Sequence, residues 1–252
     1  MKIAYLNAFT DNYIWLLHND TQIVVVDPGE SAQVLDYIIA NKLCLKAILL
    51  THDHVDHIGG VADILAHYNV PVYGTCDIAT TKLVDGQLFP LFDGISARVI
   101  ATPGHTLNSI CYLVRDKNTQ HLFCGDTLFG AGCGRVFSGD FAAMYKSLGL
   151  LANLDPQTLI YPAHEYTLRN LQFAQFIEPN SSRLSDRVTF ESEQIARKYS
   201  TLPTSVQREL ETNPFLRCNE QSVAEAVSHV TGKPMLAGFE TFVQLRDLRN
   251  NF

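Results

Sequence analysis

The segment Thr51-His52-Asp53-His54-Val55-Asp56-His57-Ile58-Gly59-Gly60 places three histidines and two aspartates within six residues. It directly follows residues 47–50, an apolar run that predicts a β-strand. His52 and His54 are two residues apart, so on an extended chain their side chains point the same way. Asp56 and His57 come where the chain turns toward a helix, and they can face a second nearby point. Imidazole and carboxylate groups are ligands of zinc, manganese and iron, and this spacing favours two ions roughly 3.5–4 Å apart over a solvated polar loop.

Three later segments repeat one arrangement, in which an apolar run is followed by a possible ligand. Residues 99–104 lead to His105, residues 121–125 lead to Asp126, and residues 159–163 lead to His164. Alone, each histidine could be an ordinary surface or capping residue, and Asp126 could be a turn or N-cap residue. Together with the first cluster they predict a metal site, because ligands at strand ends can converge on one rigid frame.

The chain has 252 residues, of which 46% are hydrophobic and 18% charged, values typical of a globular protein with a buried core. No apolar run approaches the roughly 20 residues of a membrane span, and the first residues lack a secretory signal, so we expect a cytoplasmic protein without a membrane partner. The net charge of −7 lies in residues 1–165, because residues 166–252 hold equal numbers of acidic and basic side chains. This balance argues against nucleic acid as a partner. Six irregularly spaced cysteines predict reduced thiols.

Short apolar runs and amphipathic stretches alternate along residues 1–165, which we predict to form an α/β domain. The predicted strands span 23–26, 47–50, 70–73, 97–101, 109–114, 121–124 and 158–161. Helices are predicted from Ser31 to about residue 40, over 60–67, and over 142–151 with Asp140 as the cap. Residues 166–252 are predicted to form a smaller helical domain, with helices over 186–199, 204–211, 222–229 and 236–249.

Four motifs together resemble a known family: T-H-x-H-x-D-H-x-G-G, T-P-G-H-T, F-C-G-D-T-L-F and A-H-E-Y-T. They are similar to those of the metallo-β-lactamase-fold hydrolases. Gly132-Cys133-Gly134-Arg135, the A-H-E-Y-T motif and the basic tail around Arg246 and Arg249 narrow the resemblance to the glyoxalase II (hydroxyacylglutathione hydrolase) family. The resemblance covers essentially the whole chain. It implies an αββα sandwich of two mixed sheets with outer helices, followed by the helical domain.

The resemblance also implies a dinuclear metal centre with a ligand set for each ion. One ion would be held by His52, His54 and His105, and the other by Asp56, His57 and His164. Asp126 would bridge the two ions and, with Asp56, act in catalysis. Zinc is the expected metal, with iron and manganese as alternatives. Asp27 is a candidate for orienting a ligating imidazole, although Asp27-Pro28-Gly29 reads equally well as a simple turn.

The implied reaction is the hydrolysis of S-D-lactoylglutathione to D-lactate and glutathione. Two cations that share a water molecule lower its pKa toward neutrality, and the resulting hydroxide attacks the thioester carbonyl. Resemblance assigns the glutathione carboxylates to Arg135, Tyr166, Arg246 and Arg249. Arg246 and Arg249 share one face of a predicted helix, but a basic helix C-terminus is the ordinary alternative. A monomer is expected.

This sequence departs from the family pattern at four positions. Arg135 and Arg249 stand where lysine is frequent, Phe137 stands where a tyrosine is common, and Asp53 is often histidine. Because charge is kept, the substrate class is expected to survive, although arginine and lysine are not interchangeable.

Other chemistries on the same metal frame are the competing interpretations. A glutathione persulfide dioxygenase has a similar first motif, but Asp56, His164 and the basic tail favour the dinuclear hydrolase. A lactamase would be expected to carry an export segment, and an oxygen-reducing di-iron relative would be expected to carry glutamate in the first motif. A non-catalytic binding module would be expected to lack some ligands, and all seven positions are filled.

Overall fold

The computed structural model describes residues 1–92, 94–117, 119–234 and 236–252. Within these ranges the strands are β1 (Lys2–Ala8), β2 (Asn12–His18), β3 (Gln22–Val26), β4 (Cys44–Leu49), β5 (Val72–Gly74), β6 (Thr81–Lys82), β7 (Leu88–Phe92), β8 (Ile95–Ala101), β9 (Ile110–Asp116), β10 (Thr119–Gly125), β11 (Leu128–Phe129), β12 (Gly132–Cys133), β13 (Leu159–Pro162) and β14 (Thr204–Ser205). The helices are α1 (Ala32–Ala40), α2 (Val55–Ile58), α3 (Val61–His67), α4 (Phe141–Ala152), α5 (Thr167–Ile177), α6 (Ser182–Ala196), α7 (Val206–Thr212), α8 (Gln221–Thr231) and α9 (Phe239–Asn251).

Spatial contacts divide the chain into two compact units that interleave along the sequence. The first unit comprises residues 1–102, 108–126 and 161–164, and the second comprises residues 103–107, 127–160 and 165–252. The domain boundary predicted near residue 165 stays a prediction.

The first sheet of the first unit runs in the order β1-β2-β3-β4-β5-β6. β1, β2 and β3 pair antiparallel, whereas β3, β4, β5 and β6 pair parallel. Val34 and Ile38 of α1 and Val61 and Ile64 of α3 are buried in one apolar cluster with this sheet. The β-strands that lead into the first histidine segment are therefore fixed by a helix-covered core.

The second sheet of this unit contains β7, β8, β9 and β10, which pair antiparallel in sequence order, and β13 lies beside β10. The hydroxyl of Tyr112 on β9 is fully buried and donates to the carbonyl of Leu50 at 2.7 Å. The rings of Tyr73 and Phe89 lie 4.7 Å apart between centroids. These contacts bind the two sheets face to face, as a sandwich requires.

Every predicted strand and helix is present, with ends shifted by a few residues. Asp140 caps α4 as predicted, because its Oδ1 accepts a hydrogen bond from the backbone N–H of Ala143 at 2.8 Å. Ser31 occupies the cap position of α1 but makes no side-chain cap bond. The sequence analysis did not predict β1 and β2, which pair antiparallel and form one edge of the first sheet. The alternation of apolar and polar residues in these segments did not indicate strands. All six cysteines are free thiols, as predicted.

In the second unit, β11 and β12 form a short hairpin, and helices dominate the chain after residue 165. Across the described ranges, no helix is both long and apolar enough to cross a lipid bilayer.

A fully buried carboxylate, that of Glu209, lies beside the hairpin formed by β11 and β12. It accepts hydrogen bonds from the backbone N–H of Ala131 at 2.7 Å and from Nδ2 of Asn213 at 2.9 Å. Arg187, itself buried, donates to the other oxygen of Glu209 at 2.6 Å.

We expect Glu209→Ala to lower the free energy of unfolding by about 3–5 kcal/mol. The variant removes the closer of the two carboxylates that pair with the buried Arg187, leaving Glu191 at 3.6 Å, and it leaves the backbone N–H of Ala131 without its acceptor. Chemical denaturation measures this change. Glu193→Ala is the matched control, since Glu193 is 60% exposed and pairs with Arg197 at 3.7 Å on the surface. The control should cost less than about 1 kcal/mol. Equal losses in the two variants would contradict a structural role for the buried pair.

Candidate metal centre

The first histidine segment begins where β4 ends and runs into the short helix α2. Its path is set by the two glycines at its end, which lie against the turn formed by residues 28–30. A Cβ atom added to Gly60 would lie 2.5 Å from the backbone carbon of Glu30, and one added to Gly59 would lie 2.7 Å from the carbonyl oxygen of Gly29. Only glycine allows this approach, which explains the G-G that follows the histidines.

The first unit gathers six of the seven predicted metal ligands into two groups. Within each group, ligand atoms lie within 4.8 Å of one another. One group contains His52, His54 and Asp126, and the other contains Asp56, His57 and His164. Most of these side chains are shielded from water. His57 is fully buried, His52 is 1% exposed and His164 is 4% exposed.

Asp126 joins the two groups. Its Oδ1 atom lies 3.5 Å from Nε2 of His57 and 3.4 Å from Nε2 of His164. The same two nitrogens lie 3.5 Å and 3.4 Å from Oδ2 of Asp56. The rings of His52 and His57 are 4.0 Å apart between centroids, so the two groups are adjacent. This placement is what a carboxylate shared between two neighbouring cations requires.

Asp27 orients two of the imidazoles. His57 donates from Nδ1 to Oδ2 of Asp27 at 3.1 Å. The hydroxyl of Thr51 donates to the same carboxylate oxygen at 2.6 Å and accepts from Nδ1 of His52 at 3.0 Å. Asp27 adopts a left-handed backbone conformation with φ of 51° and is buried, which costs energy in a residue with a side chain. It thus fills the orienting role that was one of its two predicted alternatives.

The sequence reading missed Asp11 and Asn12, which support the second group. His164 donates from Nδ1 to Oδ1 of Asp11 at 2.8 Å. Nδ2 of Asn12 donates to Oδ2 of Asp56 at 3.0 Å. The backbone N–H of Tyr13 donates to the carbonyl of Ala163 at 2.7 Å and brings the two segments together. The signal available was the polar pair itself, which directly precedes an apolar strand.

His105 belongs to the second unit. It is 3% exposed, and its Nδ1 donates to the backbone carbonyl of Arg135 at 2.8 Å. A carbonyl oxygen only accepts, so the proton is on Nδ1 and the lone pair is on Nε2. In their neutral form, the one that coordinates a metal, His52, His57 and His164 have the same tautomer, because each Nδ1 faces an acceptor. Each of the four imidazoles thus presents the nitrogen form that metals coordinate.

The charges of the cluster favour added positive charge. Burial, the largest effect, opposes protonation of His164, but hydrogen bonds with Asp126 and Asp56 raise its pKa to about 11. Burial likewise opposes protonation of His57, yet Asp126 and Asp27 raise its pKa. Burial would raise the pKa of Asp126, but His57 and His164 hold it well below its usual value. Ionised carboxylates amid imidazoles form an environment that stabilises cations.

The residues present fit a pair of divalent metal ions. Nε2 of His57 is buried and has no hydrogen-bond partner in the described part of the chain, although two carboxylate oxygens lie near it. A buried polar atom without a partner is costly, and a coordinated ion would remove that cost. Imidazole and carboxylate donors in this number suit first-row divalent metals.

The second unit contains a cavity of about 320 Å³ that holds all four predicted substrate-binding residues. We call it the basic cavity. Its lining residues are Phe129, Cys133, Arg135, Tyr166, Arg169, Asn170, Arg246, Arg249 and Asn250. Arg169 is the member that sequence reasoning missed. Its position three residues after Tyr166, the cap residue of α5, was the available signal, because residues three apart share one helix face.

Comparisons with known proteins agree with this fold. Residues 8–164 match the metallo-beta-lactamase superfamily, and residues 165–252 match the hydroxyacylglutathione hydrolase C-terminus. The chain is 41% identical to the hydroxyacylglutathione hydrolase of Neisseria meningitidis serogroup A, over all of both chains. It is 43% identical to that of Hahella chejuensis, over all of this chain and 99% of the other.

The crystal structure of ETHE1 from Myxococcus xanthus is similar with a TM-score of 0.68 and 25% identity, over 98% of this chain and 90% of that one. The fold and the paired ligand groups define a metallo-β-lactamase-fold protein, as predicted. Within that superfamily, the chain belongs to the hydroxyacylglutathione hydrolase family.

We expect Asp126→Ala to lower metal affinity at both ligand groups, by at least about tenfold, because one carboxylate contacts both. Elemental analysis after dialysis measures the bound metal. Asp53→Ala is the control, since Asp53 lies between two of the histidines but is exposed. Retention of both ions by the Asp126 variant would exclude the bridge.

We expect Asp11→Ala to weaken metal binding by about 10- to 100-fold, because His164 loses the acceptor that fixes its ring and its tautomer. Titration of the metal-free protein with zinc, in competition with a chelator, gives the affinity. Asp20→Ala, at an exposed pair with Lys2, should leave the affinity unchanged. Equal affinities of the Asp11 variant and the parent protein would remove Asp11 from the metal centre.

Proposed function

We propose that this protein hydrolyses thioesters of glutathione with 2-hydroxy acids. S-D-lactoylglutathione is the principal substrate, and D-lactate and glutathione are the products of this second step of methylglyoxal detoxification. The observation that carries the proposal is the presence, in one chain, of two carboxylate-linked ligand groups and of a cavity with four guanidinium groups. The first provides hydrolytic chemistry, and the second suits an anionic thiol carrier.

The proposed metal ligands are those implied by the family resemblance. His52, His54 and His105 hold one ion, and Asp56, His57 and His164 hold the other. Asp126 lies between them. Zinc is proposed as the metal, with iron and manganese as alternatives that the same donors accept. The support for two ions is the contact of one Asp126 oxygen with both imidazoles of the second group.

When bound, such a pair of cations would lower the pKa of a coordinated water molecule toward neutrality and would stabilise negative charge on the thioester carbonyl oxygen. Asp56 is proposed to orient the attacking water. Its carboxylate is 39% exposed, so it reaches solvent, and Asn12 fixes one of its oxygens. A hydrogen bond from His164 lowers the pKa of Asp56, which keeps it ionised. The leaving thiolate has a parent pKa of about 8.5 and departs without a proton donor.

Arg135, Tyr166, Arg246 and Arg249 are proposed to bind the tripeptide part of the substrate. Glutathione carries two carboxylates, and guanidinium groups bind carboxylates through paired N–H donors. Arg246 is 5% exposed, and its Nη1 donates to the carbonyl of Cys133 at 2.8 Å. Arg249 donates from Nε and Nη2 to Oδ1 of Asn170 at 3.3 and 3.1 Å. These contacts hold both side chains in place before substrate arrives, which lowers the entropic cost of binding.

We further propose that the protein is a monomer and is located in the cytoplasm. Six thiols without a disulfide suit a reducing compartment.

A glutathione persulfide dioxygenase on the same fold is the alternative function. We expect the purified protein to contain about two metal ions per chain, to hydrolyse S-D-lactoylglutathione far faster than a matched oxyester, and to consume no oxygen with glutathione persulfide. Elemental analysis, a thioester hydrolysis assay and an oxygen electrode give the three measurements. Persulfide-dependent oxygen uptake without thioester hydrolysis would refute the hydrolase, and equal rates on the thioester and the oxyester would refute its specificity.

A further inference from the structure

The basic cavity holds four guanidinium groups, and the nine residues that line it include no acidic side chain. Its cations differ in how much of their hydrogen-bonding capacity the protein itself uses. Arg246 donates from Nη1 to the carbonyl of Cys133 and from Nε to Oδ1 of Asn250 at 3.2 Å. Arg249 donates twice to Asn170. These two arginines therefore use some of their N–H donors in hydrogen bonds to residues that line the cavity.

Arg135 and Arg169 are different, because both are exposed and neither side chain makes an ion pair or hydrogen bond within the described ranges. The guanidinium of Arg135 lies 5.4 Å from the centre of the Phe137 ring, a contact that uses no N–H donor. All five donors of each group thus face the cavity or solvent. A carboxylate can meet either of them with both of its oxygens.

The place of Arg169 on its helix adds to the positive potential. Arg169 is the third residue of α5, an eleven-residue helix whose first turn contains no acidic side chain. The N-terminus of a helix carries partial positive charge, so a cation there is unfavourable unless an anion joins it. Burial, Arg246 and Arg169 also lower the pKa of Arg249, which shows that the cations of this cavity repel one another.

We propose that Arg169 is a further substrate-binding residue that contacts one of the two carboxylates of glutathione through donors the protein leaves unused. This inference rests on the proposed function and adds a specificity determinant to it. Arg246 and Arg249, whose donors are partly engaged, define the shape of the cavity as well as its charge. Arg169 and Arg135 provide the complete guanidinium groups that an incoming carboxylate meets.

Substitution of Arg169 and truncation of the substrate together test this inference. For Arg169→Ala we expect the KM for S-D-lactoylglutathione to rise about tenfold, with kcat changed less than about twofold, since the lost contact is with the carrier and not with the reacting atoms. The Kd for S-methylglutathione, measured by calorimetry, should rise by the same factor. Arg169→Lys should restore part of the affinity.

The substrate series comprises the lactoyl thioesters of glutathione, of γ-glutamylcysteine amide, which lacks the C-terminal carboxylate, and of N-acetylcysteinylglycine, which lacks the γ-glutamyl carboxylate and has no free amine to take the acyl group. If Arg169 binds one carboxylate, Arg169→Ala will raise KM less than about twofold for the thioester that lacks that carboxylate. For the other thioesters KM will rise by the full factor. An equal loss on all three thioesters, or no loss on any, overturns the inference.

Arg183→Ala is the matched control, because Arg183 is an exposed arginine on the neighbouring helix α6 and lies outside the basic cavity. It should leave KM and Kd unchanged, and a loss equal to that of the Arg169 variant would reduce the effect to general surface charge. Failure of the parent protein to hydrolyse S-D-lactoylglutathione would count against the proposed function itself. An active parent with an unaffected Arg169 variant would reject only the inference.

Discussion

One carboxylate, that of Asp126, joins the two groups of candidate metal ligands, and its Oδ1 atom is buried. Its Oδ1 lies about equally far from Nε2 of His57 and from Nε2 of His164, while its side chain belongs to the group of His52 and His54. Charge at this depth is stable only with opposite charge or hydrogen-bond donors around it. The surrounding imidazoles compensate part of the negative charge of this carboxylate. The negative charge that they leave uncompensated makes the cluster suited to cations.

The rest of the first unit serves the orientation of those imidazoles. Asp27 keeps a left-handed backbone conformation so that its carboxylate reaches both Thr51 and His57. Asp11 does for His164 what Asp27 does for His57. Each imidazole is thereby fixed in one tautomer before a ligand arrives, and the cost of ordering these side chains is met during folding.

The second unit uses charged side chains for two different purposes. Glu209 and Arg187 neutralise each other, and Glu209 holds the backbone of Ala131, which has a left-handed φ of 54°. The guanidinium groups of the basic cavity have no acidic neighbours among its lining residues. A paired network fixes the hairpin, while an excess of one sign of charge provides affinity for a ligand of the other sign. In this unit, one set of charged groups therefore stabilises the fold, and a different set is available to bind a ligand.

The sequence by itself determined the class of fold and the chemistry of the site. His52, His54, Asp56 and His57 are close in sequence, and short spacing after an apolar strand fixes their geometry locally. His105, Asp126 and His164 could be predicted because each follows an apolar run and together they match known motifs. Tertiary structure alone decided what depends on contacts between distant residues. The link of Asp11 to His164 spans 153 positions, and the link of Arg246 to Cys133 spans 113. Neither has a local pattern, because sheet pairing and helix packing, not sequence spacing, bring these side chains together.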